Sequence, residues 1–408
     1  MLFKFMTSLK AHLASSRARN TLSRLSFPLL PTNMKSSKKD IFVLHIWLKL
    51  MGCYVFMFIT SMVLPIAAMF PNLGFPCYFN TLVNYSSMDL RAKNQAKHLT
   101  PTLFLEAPEM FFYVTYSFIA DCCGLAYYLL AAIAVVKAKR HATGLMVVSQ
   151  WIMAVGSPTL LFMAILKMWT IQLYIHTLSY KHIYLAAFVY CLHWLLSVLY
   201  TECYITNVSS QWTHSELKKS VPDNLMLHRV VHTMKPIMTN IHLSVVALET
   251  LIFSLSFMMA VGNSFYVVVS DIVFGAINMF LILPIIWYVL TEFWLSKYLA
   301  RQFGFYFGVL IASIILILPI VRYDKIFVAA QIHNAVAINI AVIPICAFIA
   351  FLIRACRAYA ERKRIPYSAL SAPPKTVHYS KQAKPDADKQ APDSSIFLDE
   401  ESDTDFEQ

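Results

Sequence analysis

The stretch QFGFYFGVLIASIILILPIV, Gln302 to Val321, holds twenty residues and no charge. A helix crossing the ~30 Å hydrocarbon core of a bilayer needs about 20 mainly apolar residues. This run meets that length. The chain as a whole is 58% hydrophobic and 14% charged, whereas soluble domains lie near ~45–50% apolar and ~25% charged. The chain therefore reads as a membrane protein.

Working outward, seven further runs qualify, at 43–70, 110–136, 145–166, 182–206, 238–261, 264–290 and 335–353. The weakest is 182–206, which carries His193 and Glu202. A membrane β-barrel would show alternating segments of ~10 residues, and these runs are continuous. The expected fold class is all-α and polytopic, with eight transmembrane helices. An even number of spans puts both termini on one side of the membrane.

Net charge is +12. Cytoplasmic loops collect Lys and Arg, and that bias sets orientation. It accounts for the charge without nucleic acid. With both termini in the cytosol, 26 of the 34 basic residues fall on that side, in the N-terminal arm, the KAKRH loop (137–141), the 207–237 loop, Lys297, Arg301 and the tail from Arg354. Seven fall opposite: Arg91, Lys93, Lys97, Lys167, Lys181, Arg322 and Lys325. The domains expected are a basic extension at 1–33, an eight-span region at 34–353 with a luminal loop at 71–109, and a disordered cytosolic tail at 354–408. The extension has no acidic residue and has the composition of an organelle transit peptide. The plainer reading is a cytosolic arm, or sequence ahead of a start at Met34.

FPNLGFPCYFN (70–80) follows the first run. Pro71, Gly74 and Pro76 stop the helix and favour a turn. Of the eight cysteines, Cys77 alone falls on the luminal side. Disulfides persist there and not in the cytosol. An odd cysteine either pairs with another chain or stays a buried thiol. The same loop holds Asn84-Tyr85-Ser86, an N-glycosylation acceptor. Asn207-Val208-Ser209 falls on the cytosolic side and is expected to be unused.

FPNLGFPCYFN and the HLTPTLFLEAPEM that follows (98–110) resemble the first luminal loop of herpesvirus envelope glycoprotein M, closest to the gammaherpesvirus branch. VGSPTLLFMAILK (155–167), ALETLIFSLS (247–256), VGNSFY (261–266) and FGFYFGVLIASIILILPIVRYD (303–324) agree with it in order. The resemblance runs from about Met34 to about Arg357. It implies a multispan envelope protein paired with a small single-span partner, glycoprotein N. The pair would act in trafficking, secondary envelopment and virion assembly, with modulation of membrane fusion. It would reside in the virion envelope, in host Golgi, trans-Golgi and endosome membranes, and at the inner nuclear membrane. In some branches a disulfide joins the partners from a G-[FY]-P-C element, whose cysteine here is Cys77. Contacts with tegument proteins are a further expectation.

Asp121, Glu202, Glu249, Asp271 and Glu292 lie in or at the ends of the runs. Charges at mid-membrane are costly and usually face protein or water. Asp121, Glu249 and Asp271 are the intramembrane polar candidates. Glu249 and Asp271 are expected at similar depth on two helices joined by a tight VGNSFY turn. One reading is a transporter or channel using that pair; the other is packing between helices or contact with the partner's span. No Gly-rich phosphate loop, His-Glu-x-x-His or Gly-x-Ser-x-Gly is present. His228 and His232 have metal-compatible spacing with no third ligand in sequence. No enzyme, metal or cofactor is expected.

In the tail, Tyr367-Ser368-Ala369-Leu370 has the form of an endocytic adaptor signal, read in an extended segment by host sorting proteins. Asp399, Glu400, Glu401, Asp403, Asp405 and Glu407 form an acidic cluster around Ser402 and Thr404, each suited to an acid-directed kinase. Such clusters direct retrieval to the trans-Golgi network. Cys356 is a juxtamembrane palmitoylation candidate.

Overall fold

In lipid a backbone must satisfy its own polar groups, so continuous apolar runs fold as helices. The computed structural model describes residues 36–63, 105, 107–142, 145–179, 182–206, 221–223, 225–265, 267, 269–293, 295–299, 302–322, 328, 331 and 333–370. Among them there is no strand. The helices are α1 (Ser36–Phe58, continued by a π-turn, Ile59–Val63), α2 (Ala107–Ala138), α3 (Leu145–Val155) and α4 (Pro158–Ser179). Then come α5 (Ile183–Thr206), α6 (Met226–Arg229), α7 (Lys235–Phe265), α8 (Val269–Phe293), α9 (Ser296–Leu299), α10 (Gly304–Arg322) and α11 (His333–Leu370). Between α6 and α7 lies a π-turn, Val230–Met234.

Among the described residues, seven helical segments are long and apolar enough to cross a membrane. They occupy seven of the eight expected runs. The remaining run, the one with no charge, forms α10, a 19-residue helix whose fully described apolar stretch is Gly304–Leu318. α7 is the axis of the bundle, with 78% of its apolar window buried against 28% for α1 and α8 and 22% for α11. α10, α5, α8 and α2 lie against α7; α4 lies on α5, and α1 on α3 and α4.

α10 meets α7 through Gly304 and Gly308, one turn apart. A Cβ at Gly304 would overlap the Asn240 backbone, and one at Gly308 would overlap the Ser244 backbone and Ala247. Small residues at this spacing let membrane helices approach closely. The free N–H groups at the start of α10 are satisfied by α7. Asn240 Oδ1 accepts from Phe303 N and Gly304 N, both at 2.8 Å. Its amide donates to the Pro236 carbonyl at 3.1 Å.

Three expectations need correction. The third run is not one helix: it breaks at Gly156–Ser157, because Pro158 cannot donate to the previous turn. VGNSFY is not a tight turn. α7 continues through Phe265, with Asn263 and Ser264 side chains bonding back to Met259 and Ala260 carbonyls at 2.8 and 2.9 Å. The helix formed by the last run does not end at residue 353, since α11 continues and Arg354 is buried. The chain divides into compact units Met1–Ala360 and Glu361–Gln408.

Gly308→Leu is expected to lower the thermal midpoint in detergent, with roughly 1–3 kcal/mol of overpacking. Gly52→Leu is the control: nothing lies within 4 Å of a Cβ built at Gly52, so its midpoint should match the wild type.

Candidate functional site

On α7, Lys235, His242, Glu249 and Ser256 recur every seven residues. Seven residues make almost two helical turns, so all four share a face. At 1.5 Å per residue they span about 31 Å, the thickness of a hydrocarbon core. All four are buried, and each bonds to another helix. Lys235 reaches α3, His242 reaches Tyr200 on α5 at 3.4 Å, and Ser256 shares a hydrogen bond with Tyr174 on α4 at 2.9 Å.

Lys235 serves the break between α3 and α4. Pro158 has no N–H for the Ala154 carbonyl. Lys235 Nζ donates to that carbonyl at 2.8 Å and lies 5.4 Å from the Tyr204 ring centre. The next two carbonyls are also taken by side chains. The Tyr127 hydroxyl donates to Val155 O at 2.8 Å, and Trp47 Nε1 donates to Gly156 O at 2.9 Å. Ser157 caps α4, accepting from Leu160 N at 3.2 Å. Side chains from α1, α2 and α7 thus satisfy three carbonyls in succession. Unsatisfied, each would cost about 1–3 kcal/mol.

Glu249 lies about four turns beyond Lys235. Its Oε1 faces Lys167 Nζ from α4 at 2.9 Å and His193 Nε2 from α5 at 3.3 Å. Its side chain is 1% exposed and that of Lys167 12%, so this is an ion pair inside the bundle. His193 Nδ1 sits 2.8 Å from Thr170 Oγ1, which is 2.9 Å from the Lys167 carbonyl. The contacts close a ring from the Lys167 carbonyl through Thr170, His193 and Glu249 back to the Lys167 ammonium. Thr170 has one proton. If it donates to Lys167 O, Nδ1 of His193 must donate to Thr170, and Nε2 then donates to Glu249 only as imidazolium. If it donates to Nδ1, a neutral His193 donates from Nε2. A small cavity beside the ring is lined by Ser117, Asp121, Lys167, His193 and Glu249, closed by Met62, Met168, Ile171 and Val245.

The expected sites fall in different places. Glu249 and Asp121 are brought to one cavity. Asp271 is not with them: it lies in the first turn of α8, whereas Glu249 lies about 24 Å along α7 from Phe265. The pair therefore forms no common site, and the reason is the extra helical length of α7. Glu202 is exposed near the end of α5. Three basic residues assigned to loops or to the tail belong to the bundle. Lys167 pairs with Glu249, and Lys235 binds the Ala154 carbonyl. Arg354 donates from Nε to Glu292 Oε1 at 2.7 Å and from Nη2 to Thr291 Oγ1 at 3.1 Å, with Tyr306 5.3 Å away. Removing them leaves the charge bias at 24 against six. His228 and His232 stack at 4.2 Å, and among the described residues no group of three metal-ligating side chains forms. Tyr367 and Leu370 lie in the last turns of α11, so an extended adaptor-bound form requires those turns to unwind. Cys77, Asn84, Ser402, Thr404 and the acids from Asp399 to Glu407 lie outside the described residues. The polar ring was missed in sequence. Its only local signals are the seven-residue spacing on α7 and a lysine in an otherwise apolar MAILKMW (163–169).

A family model described as herpesvirus glycoprotein M matches residues 40–370. The chain is 81% identical over 375 residues to the envelope glycoprotein M of Alcelaphine herpesvirus 1 (strain C500), covering 92% of this chain and 100% of the relative. It is 54% identical over 331 residues to that of Epstein-Barr virus (strain B95-8), covering 81% and 82%. It is 46% identical over 350 residues to that of Saimiriine herpesvirus 2 (strain 11), covering 86% and 95%. No solved structure matches.

Lys235→Met is expected to destabilise the bundle by about 2–3 kcal/mol, the worth of a charged hydrogen bond. Pro158→Ala restores an N–H to the Ala154 carbonyl. In that background Lys235→Met should cost clearly less, measured as a double-mutant cycle of thermal midpoints.

Proposed function

The chain belongs to the herpesvirus glycoprotein M family, a multi-pass protein of the virion envelope, and from that premise we propose that it works as a partner-binding and trafficking protein rather than an enzyme. Its partner is a small single-span protein, glycoprotein N, joined through Cys77. The observation that carries this reading is the distribution of thiols. The other seven cysteines are free and lie on helices. Cys77, in the GFPC element, is the one cysteine that the charge bias assigns to the luminal side, where disulfides persist. The luminal segment 71–109 docks the partner's ectodomain, and both termini face the cytosol. The remaining 24-to-six charge bias supports that orientation.

Tyr367, Leu370 and the acids from Asp399 to Glu407 route the complex through host Golgi and endosome membranes, where adaptors and tegument proteins engage the tail. The complex then serves envelopment and modulates fusion. The buried ring at Glu249 fits packing within the bundle, since its ion pair and hydrogen bonds join α4, α5 and α7.

Co-expression with glycoprotein N, alkylation of free thiols, and gels with and without reductant test the reading. A heavier, reductant-sensitive species should form and vanish in Cys77→Ser. If wild type and Cys77→Ser both run as monomers, no covalent link exists at Cys77.

A further inference from the structure

The cavity beside Glu249 has groups that the ion pair does not use. Glu249 Oε2 and Ser117 Oγ are buried and have no hydrogen-bond partner among the described residues. Glu249 is 1% and Ser117 6% exposed. Asp121 lines the same space, one helical turn after Ser117. The facing charged and titratable groups are Asp121 and Tyr113 from α2, Lys167 from α4, His193 and Tyr190 from α5 and Glu249 from α7, with Tyr54 of α1 near Asp121 and His242 two turns away on α7. The end of α1 contributes only Met62.

These charges do not balance. Lys167 offsets Glu249, which leaves the Asp121 carboxylate as one net negative charge when His193 is neutral. An unbalanced charge at mid-membrane costs at least ~2.5–3.5 kcal/mol. Buried polar atoms without partners add to that cost. We propose that the cavity lined by Ser117, Asp121, Lys167, His193 and Glu249 is a binding site for a single positive charge. The occupant is either a proton held on the Asp121 carboxyl, or one small monovalent metal ion on the oxygens of Asp121, Ser117 and Glu249. The site lies near the middle of α5 and between four helices, so occupancy favours the assembled bundle over its separated parts.

Thermal melting of the full chain in nanodiscs of neutral lipid tests this. One series varies pH from about 5 to about 8 at fixed ionic strength. The other replaces choline by sodium at fixed pH. A folded state that holds one more proton than the unfolded state loses stability as pH rises. The proton arm therefore expects the midpoint to fall by about 2–4 °C per pH unit. The metal arm expects it to climb with sodium and not with choline. Asp121→Asn removes the unbalanced charge and should flatten whichever slope the wild type shows. Lys167→Gln leaves two unbalanced negative charges and should steepen it. The two variants are independent, so one folded variant suffices. A wild type with neither slope, or a slope that the folded variant leaves unchanged, overturns the proposal.

Discussion

The contact between Glu249 and Lys167 sets the terms for the rest of the bundle. Neither charge is tolerable alone in lipid, and breaking a buried pair by removing one partner is strongly destabilising. Their 2.9 Å contact thus ties α7 to α4, and His193 ties α5 to both. Once α7 is held in this rotation, its other buried polar residues have one direction to face. Lys235, His242 and Ser256 follow at seven-residue intervals and bond α3, α5 and α4 in turn.

The same constraint acts on the backbone. The kink at Pro158 frees carbonyls that lipid cannot satisfy, and Lys235, Tyr127 and Trp47 satisfy them. The start of α10 exposes N–H groups, and Asn240 accepts them. Gly304 and Gly308 then let α10 approach α7 closely enough for that capping to occur. At the periphery, Arg354 joins α11 to α8 through Glu292 and Thr291, and an Asn339–Asn278 hydrogen bond of 2.8 Å adds a second link. The outer faces of α1, α8 and α11 carry large apolar side chains such as Phe56, Ile282 and Ile345, as a lipid-facing surface requires.

The all-α, multi-span class was legible because each apolar run is long and self-contained. The glycine spacing in GFYFG (304–308) was not read as a contact, although small residues four apart let membrane helices approach closely. What hid the site was the rule that ends a span at a charge. MAILKMW looks like the edge of the third run, yet α4 continues for twelve residues beyond Lys167 to Ser179. The ammonium is neutralised by a carboxylate far away in sequence, which no local window contains. Lys235 and Arg354 were misassigned, to a loop and to the tail, for the same reason. Asp271 was misplaced by the opposite error, since α7 is longer than its apolar run and carries Glu249 away from the helix end.

The most direct measurement is a double-mutant cycle at the ion pair. Unfolding free energies would be obtained for the wild type, Glu249→Gln, Lys167→Met and the double variant in one membrane mimic. If the pair holds α7 to α4, each single change is costly, by roughly 3–5 kcal/mol. The double variant should then be more stable than the sum of the two losses would make it, because neither member of the pair is left without the other. Strictly additive losses, or single changes that cost nothing, would show that the bundle does not rest on this contact.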